Sequence, residues 1–228
     1  AFTDVAIVTP HPDLWHTSAL QGRLLQDTPV LDLTEASQDL VIHAMALHWA
    51  DDPVGQLIQC RRALRPDGLL VVLTLGGQTL TELRAALAEA EVTLRGGLSP
   101  RVAPMADLRD LGALMQRAGL ALPVADSWPL TVEYDMPWHL MRDLRAMGEG
   151  NALVDRIRHA TPRRLLQEAA RIYAQQFTAP SGRIRASFEI ITLTGWAPDT
   201  SQPQPLRPGS ATTRLSEALG TTETPLKD

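Results

Sequence analysis

The sequence predicts an α/β protein with a doubly wound, mostly parallel sheet and extra helices, and three observations carry the prediction. Short unbroken apolar runs ("VAIV", "LVIHAMAL", "LLVVLTL") read as strands buried on both faces, which is the condition of a parallel sheet. The longer stretches between them carry leucine and alanine at helical spacing and are bracketed by capping residues. The last two strand-like runs, "DSWPLTVEY" and "SFEIITLTGW", are separated by helices and not by a glycine-rich crossover, which suits an antiparallel close of the sheet.

The first strand is "VAIV" at 5–8. The stretch "DLWHTSALQGRLLQDTP" allows a short helix and a weak strand at 22–26. The run at 40–47 reads as a central strand ending near His43 or Ala44. Asp52 and Pro53 then form an N-cap and first-turn pair opening a helix through "VGQLIQCRRAL". "RPDG" predicts a turn, and "LLVVLTL" the next buried strand. "TLTELRAALAEAEVTLR", between paired glycines, and "ADLRDLGALMQRA", stopped at Gly119, predict two amphipathic helices. Helices at "MPWHLMRDLRAMG" and "TPRRLLQEAARIYAQQF" lie in an insertion over 136–180 before the final strand. Residues 1–197 therefore read as one domain, and 198–228, dense in proline, glycine, serine and threonine, as an extended or partly disordered tail.

A chain of 228 residues suits one such domain with appendages. The formal charge of −5 argues against a nucleic-acid partner, because counterion release needs a basic face. No apolar run reaches membrane-spanning length, so no span is expected. The single cysteine, Cys60, excludes a disulfide framework and a cysteine-cluster metal site, and fits a reducing compartment. The expected location is the bacterial cytoplasm or the periphery of the inner membrane.

"DLVIHAMALHWADDPVGQLIQCRRALRPDGLLVV" resembles the later half of a class I S-adenosylmethionine (SAM) methyltransferase. With "GGQTLTELRAALAEAE", "GGLSPRVAPMADLRDLGALMQRAGL", "MRDLRAMGEGNAL" and "GWAPDTSQPQPLRPGSA", the resemblance narrows to the methyltransferase-like assembly factors of respiratory complex I, covering 27–211. These are relatives of the malonyl-acyl carrier protein methyltransferases. The resemblance implies a Rossmann-like sheet, a protein client, a role in building the quinone-side arm of complex I, and hydroxylation of an arginine in a subunit of it. It also implies SAM as cofactor, with Asp27 on the adenine side and His43, Ala44 and Met45 beside the methionine part.

The loop after the first strand departs from that pattern. A SAM site uses a glycine loop there, whereas Pro10 and Pro12 remove two N–H donors and add ring bulk. Only about thirty residues separate this loop from Asp39, too few for two βα units. The sheet is accordingly expected to lack one strand, read as strand two and its helix, and the SAM site to be impaired.

Asp27 is equally a solvated turn aspartate before Pro29. His48 divides between pocket wall and satisfied surface residue, while Trp49 reads as core packing. Gly76 and Gly77 mark either a substrate approach or a simple helix entry. Arg142, Arg145, Glu149 and Asn151 read as a client- or anion-binding surface against the alternative of a solvated helix face. His11-x-Asp13 with His43 or His48 matches the ligand types of non-haem iron sites, but the string is common by chance and no metal is expected. Three functions remain open: a complex I assembly factor with an impaired SAM site, an active methyltransferase on a small molecule or carrier protein, and a non-catalytic binding module.

Overall fold

The structure is a computed structural model, and it describes residues 2–15, 20–203, 210 and 213–222. They fall into two compact units, 1–198 and 199–228. The first unit is built on a six-stranded sheet in the order β2-β1-β3-β4-β6-β5. Its strands are β1 (Val5–Val8), β2 (Arg23–Leu25), β3 (Gln38–Ala44), β4 (Leu64–Leu75), β5 (Ala121–Tyr134) and β6 (Ile184–Trp196). β1 to β4 pair in parallel, and β6 runs antiparallel between β4 and β5.

The doubly wound sheet and its antiparallel close are thus as the alternation of apolar runs predicts. One expectation is corrected. The sheet has six strands, one short as expected, but the interval after β1 is not stripped of strand two: β2, anticipated as a weak strand at 22–26, lies within it and pairs with β1 at the sheet edge. Between the two strands, the described residues hold only the 3-10 turn Pro12–Trp15. A second correction concerns "RPDG", which is not a turn between elements. β4 runs through it as a bulge, with Asp67 at φ 60° and the register against β3 shifting between Leu64 and Leu69.

Helices cover the sheet. Helix α1 (Pro53–Ala63) starts where the Asp52 side chain accepts from Gly55 N at 2.8 Å, and it buries Leu57, Cys60 and Ala63. It shares one apolar core with α3 (Leu108–Arg117), whose Leu111 and Met115 pack near Leu70, Val72 and Leu193. A second core forms where α2 (Thr81–Arg95), α4 (Pro137–Ala146) and α5 (Arg163–Gln176) close over the end of the sheet. Tyr173 is its largest fully buried side chain, and its hydroxyl donates to Arg185 O at 2.9 Å. α2 ends at Gly96 in the left-handed conformation (φ 69°), a common helix stop. The second unit contains α6 (Leu215–Leu219), closed by Gly220 at φ 62°.

Candidate functional site

In a doubly wound sheet the strand carboxyl ends converge on the working face. Here those ends carry Thr9, Ala44, Met45 and Leu75, followed by the 3-10 turn Leu47–Trp49. Met45 leaves β3 at φ 55°, a left-handed conformation that costs a side-chain-bearing residue about 1–2 kcal/mol. The strain is held in place by a hydrogen bond from Met45 N to Leu73 O at 2.7 Å.

Asp27 lines a cavity of about 220 Å³ together with Thr28, Pro29, Trp49 and the N-terminus of α1. Burial raises its carboxyl pKa, and the nearby His43 and His48 oppose that rise. His43 Nε2 lies 3.9 Å from Asp27 Oδ1 and 3.4 Å from Gln56 Oε1, while its Nδ1 has no partner. The ring is fully buried under α1, and burial lowers its pKa. His43 therefore presents no surface to a ligand, whereas Ala44 and Met45 line a separate cavity of about 260 Å³ with Thr9, His11, Leu14, Trp15 and Leu73. Gln56 and Gln59 tie the 28–31 loop to α1: Gln56 Nε2 donates to Thr28 O at 2.7 Å, and Gln59 bonds both Pro29 O and Leu31 N.

His48, Trp49 and Glu149 meet although a hundred residues separate them. His48 Nδ1 shares a hydrogen bond with the Thr74 hydroxyl at 3.2 Å, and its Nε2 bonds Glu149 Oε1 at 3.1 Å. Trp49 Nε1 donates to the same oxygen at 3.4 Å. The side chains of His48 and Glu149 are only 3% and 9% exposed, so the group is fixed from within. It forms one end of an apolar cleft of about 90 Å³ lined by Leu75, Leu80, Leu83, Leu87, Leu144 and Phe188, with Asn151 and Arg101 at its rim. Asn151 Nδ2 donates to Pro100 O at 2.8 Å.

The remaining candidates lie elsewhere. Gly76 is buried against β6: a Cβ there would stand 2.5 Å from Glu189 Oε2 and 2.6 Å from Ile191 Cδ1. Close packing accounts for this glycine, which offers no substrate approach. Gly77 lies beside Met105 O. Arg142 is 73% exposed with only a 3.6 Å contact to Asp143, and Arg145 is likewise exposed, so both stay outside the cleft lining. Among the described residues no three His, Cys, Asp or Glu side chains come together to hold a metal. His11, Asp13, His43 and His48 do not assemble.

The loop after β1 does not fit the cofactor that such sheets hold. Pro10 and Pro12 have no N–H, Thr9 N is spent on Leu25 O, His11 N on the Thr9 hydroxyl, and Leu14 N on His11 O. Among the described residues of the loop, these donors are not free to cradle a ligand.

Residues 13–72 match the family profile described as Methyltransferase domain. The chain is 38% identical over 190 residues to an arginine hydroxylase, NDUFAF5, mitochondrial, of Dictyostelium discoideum, covering 83% of this chain and 43% of that one. Over most of its length the chain is similar to the NDUFAF5 arginine hydroxylases. Beside these hydroxylases stands a malonyl-[acyl-carrier protein] O-methyltransferase of Halorhodospira halophila, 37% identical over 172 residues, which cover 75% of this chain and 56% of that one. The chain spans about half the length of the curated relatives it matches. The crystal structure of YcgJ from Bacillus subtilis shares the fold, with a TM-score of 0.53 over 86% of this chain and 92% of that one, at 13% identity. The Glu149 cleft was only partly legible in the sequence. Three of its parts escape a reading of the sequence: Trp49, which looks like core; Thr74, hidden inside an apolar strand; and Arg101, in a connector without pattern.

Proposed function

We propose that this chain works as an assembly factor of respiratory complex I that binds a client polypeptide and acts on an arginine side chain of it, without relying on a SAM site at the β1 loop. The observation that carries the reading is the buried Glu149 carboxylate, aimed by His48 and Trp49 into an apolar cleft at the carboxyl end of the sheet. A carboxylate held in low dielectric recognises a cationic side chain. The identity with the arginine hydroxylases supports the same substrate class. Hydroxylation needs an oxidising centre, and no step through one is assigned to these residues.

The test is made in the host with the full-length protein. Removing the gene should deplete assembled complex I and abolish a one-oxygen mass increase on an arginine of one of its subunits. Both features persisting unchanged would sink the proposal. A second reading, methyl transfer, is favoured by the fold and by the malonyl-carrier-protein relatives. Calorimetry separates the two, since a micromolar dissociation constant for SAM, about −8 kcal/mol, would require a cofactor site that the β1 loop does not build.

A further inference from the structure

The cleft beside Glu149 has an uneven distribution of charge. Arg101 at its rim is already balanced: Nε and Nη2 donate to Glu91 Oε1 at 3.2 and 2.8 Å, and Nη1 donates to the Thr161 hydroxyl at 3.0 Å. Among the described residues no arginine or lysine pairs with Glu149, whose ionisable neighbour is His48. The carboxylate Oε1 takes both N–H donors, and among the described residues Oε2 accepts no hydrogen bond. His48 has a partner at each ring nitrogen, Thr74 at Nδ1 and Glu149 at Nε2. Both ring nitrogens are thereby used, so His48 is a positioning residue with nothing to offer a ligand directly.

A carboxylate that is nine-tenths buried, with one oxygen accepting no hydrogen bond among the described residues and no arginine or lysine beside it, is costly, and a ligand cation offsets the cost. The walls next to it are aliphatic and aromatic, so the ligand needs an apolar stem behind its charge. The free volume equals about three water molecules at ~30 Å³ each, room for a thin stem and not for a ring system. Between the two cations that proteins carry on such stems, the guanidinium is more weakly hydrated and pairs with carboxylates through a planar fork. We infer that Glu149 is the residue that reads the guanidinium of the client arginine, with His48 and Trp49 aiming its carboxylate. This inference rests on the arginine-directed function proposed above.

The experiment titrates the folded protein with N-acetyl-arginine amide and with its neutral isostere N-acetyl-citrulline amide, following the Trp49 indole N–H resonance. The arginine probe should bind at least tenfold more tightly than the citrulline probe, and Glu149→Gln should erase the preference. His48→Gln, whose amide can still donate, should retain most of it, whereas His48→Leu should not. Should Glu149→Gln lose its cooperative thermal transition, Glu149→Asp takes its place and should weaken arginine binding several-fold. Equal affinities, no binding of either probe at roughly 50 mM, or a preference that survives loss of the carboxylate would overturn the assignment. Arginine hydroxylation in the host unaffected by Glu149→Gln would overturn it while leaving the proposed function standing. Glu149-dependent arginine binding without any hydroxylated client would do the reverse.

Discussion

Gly76 carries no side chain because Glu189 and Ile191 already occupy the space where one would lie. Glu189 cannot give way freely, since its carboxylate accepts from Gln78 N at 2.9 Å and from the Ser127 hydroxyl at 2.6 Å. Gly76→Ala should therefore cost about 1–3 kcal/mol, read as a lower urea midpoint with an unchanged slope. His43 leads to a pH prediction. Its folded-state pKa lies below the ordinary 6.5, so the native state binds the proton less readily than the unfolded chain, and stability falls as pH drops below 6.5. Asp27, whose pKa is raised, acts oppositely, being easier to keep in the fold once protonated. Replacing His43 with glutamine should flatten the decline between pH 6.5 and about 5 in urea titrations. A decline as steep as that of the parent protein would exclude His43 as its cause. The residue types of the candidate site were legible in the sequence, but their grouping was not. His48 and Glu149 sit a hundred positions apart, and no local pattern encodes a contact between the 3-10 turn after β3 and the turn after α4.

At the scale of elements, the connector between α2 and α3 is anchored by one buried acid. Burial raises the pKa of Glu91, but hydrogen bonds from Arg101 and Ser99 outweigh it and hold the carboxyl down to about 2. Glu91 is 2% exposed and Arg101 12%. Arg101→Ala strands that charge and should cost about 3 kcal/mol, with the 96–107 connector becoming the first site of tryptic or subtilisin cleavage. The stabilisation from Glu91 is present above pH 4.5 and fades as pH falls towards 2, so the wild type and the variant should converge at low pH. Helices α1 and α3 were legible from their aspartate caps, α2 from its glycine stop and apolar spacing, and α5 from apolar spacing alone. Strand limits were less so. β4 continues past a sequence that normally turns: Pro66, Asp67 and Gly68 form a bulge in which Asp67 keeps a left-handed backbone, and regular pairing with β3 and β6 runs from Leu69. β5 starts five residues before "DSWPLTVEY", in a stretch whose Pro123 argues against a strand, since an edge position tolerates a missing donor.

Across the whole molecule, charge is unevenly shared. Residues 137–185 hold nine arginines against four acids, a formal +5 within a chain of −5. This region bears the exposed Arg142 and Arg145 of α4, and an acidic client surface is its natural complement. The doubly substituted Arg142→Ala, Arg145→Ala protein should keep its thermal midpoint, as surface changes stay within about 0.5 kcal/mol. It should capture complex I subunits less well from host extract, and the loss should shrink as salt rises. Undiminished capture would remove this face from the working surface. The segment 204–211, which completes that surface in the sequence, falls almost wholly outside the described residues. No helix among the described residues is long and apolar enough to cross a membrane. The position of β6 sets the timing of folding. Because β6 lies between β4 and β5, neither can meet its neighbour until Trp196 has been made, about 120 residues after Leu75. At ~5–20 residues per second, a ribosome leaves the edge of β4 open for roughly 6–24 s. The nascent chain spends that interval with an apolar strand unpaired, and it is in this window that a chaperone would be most needed.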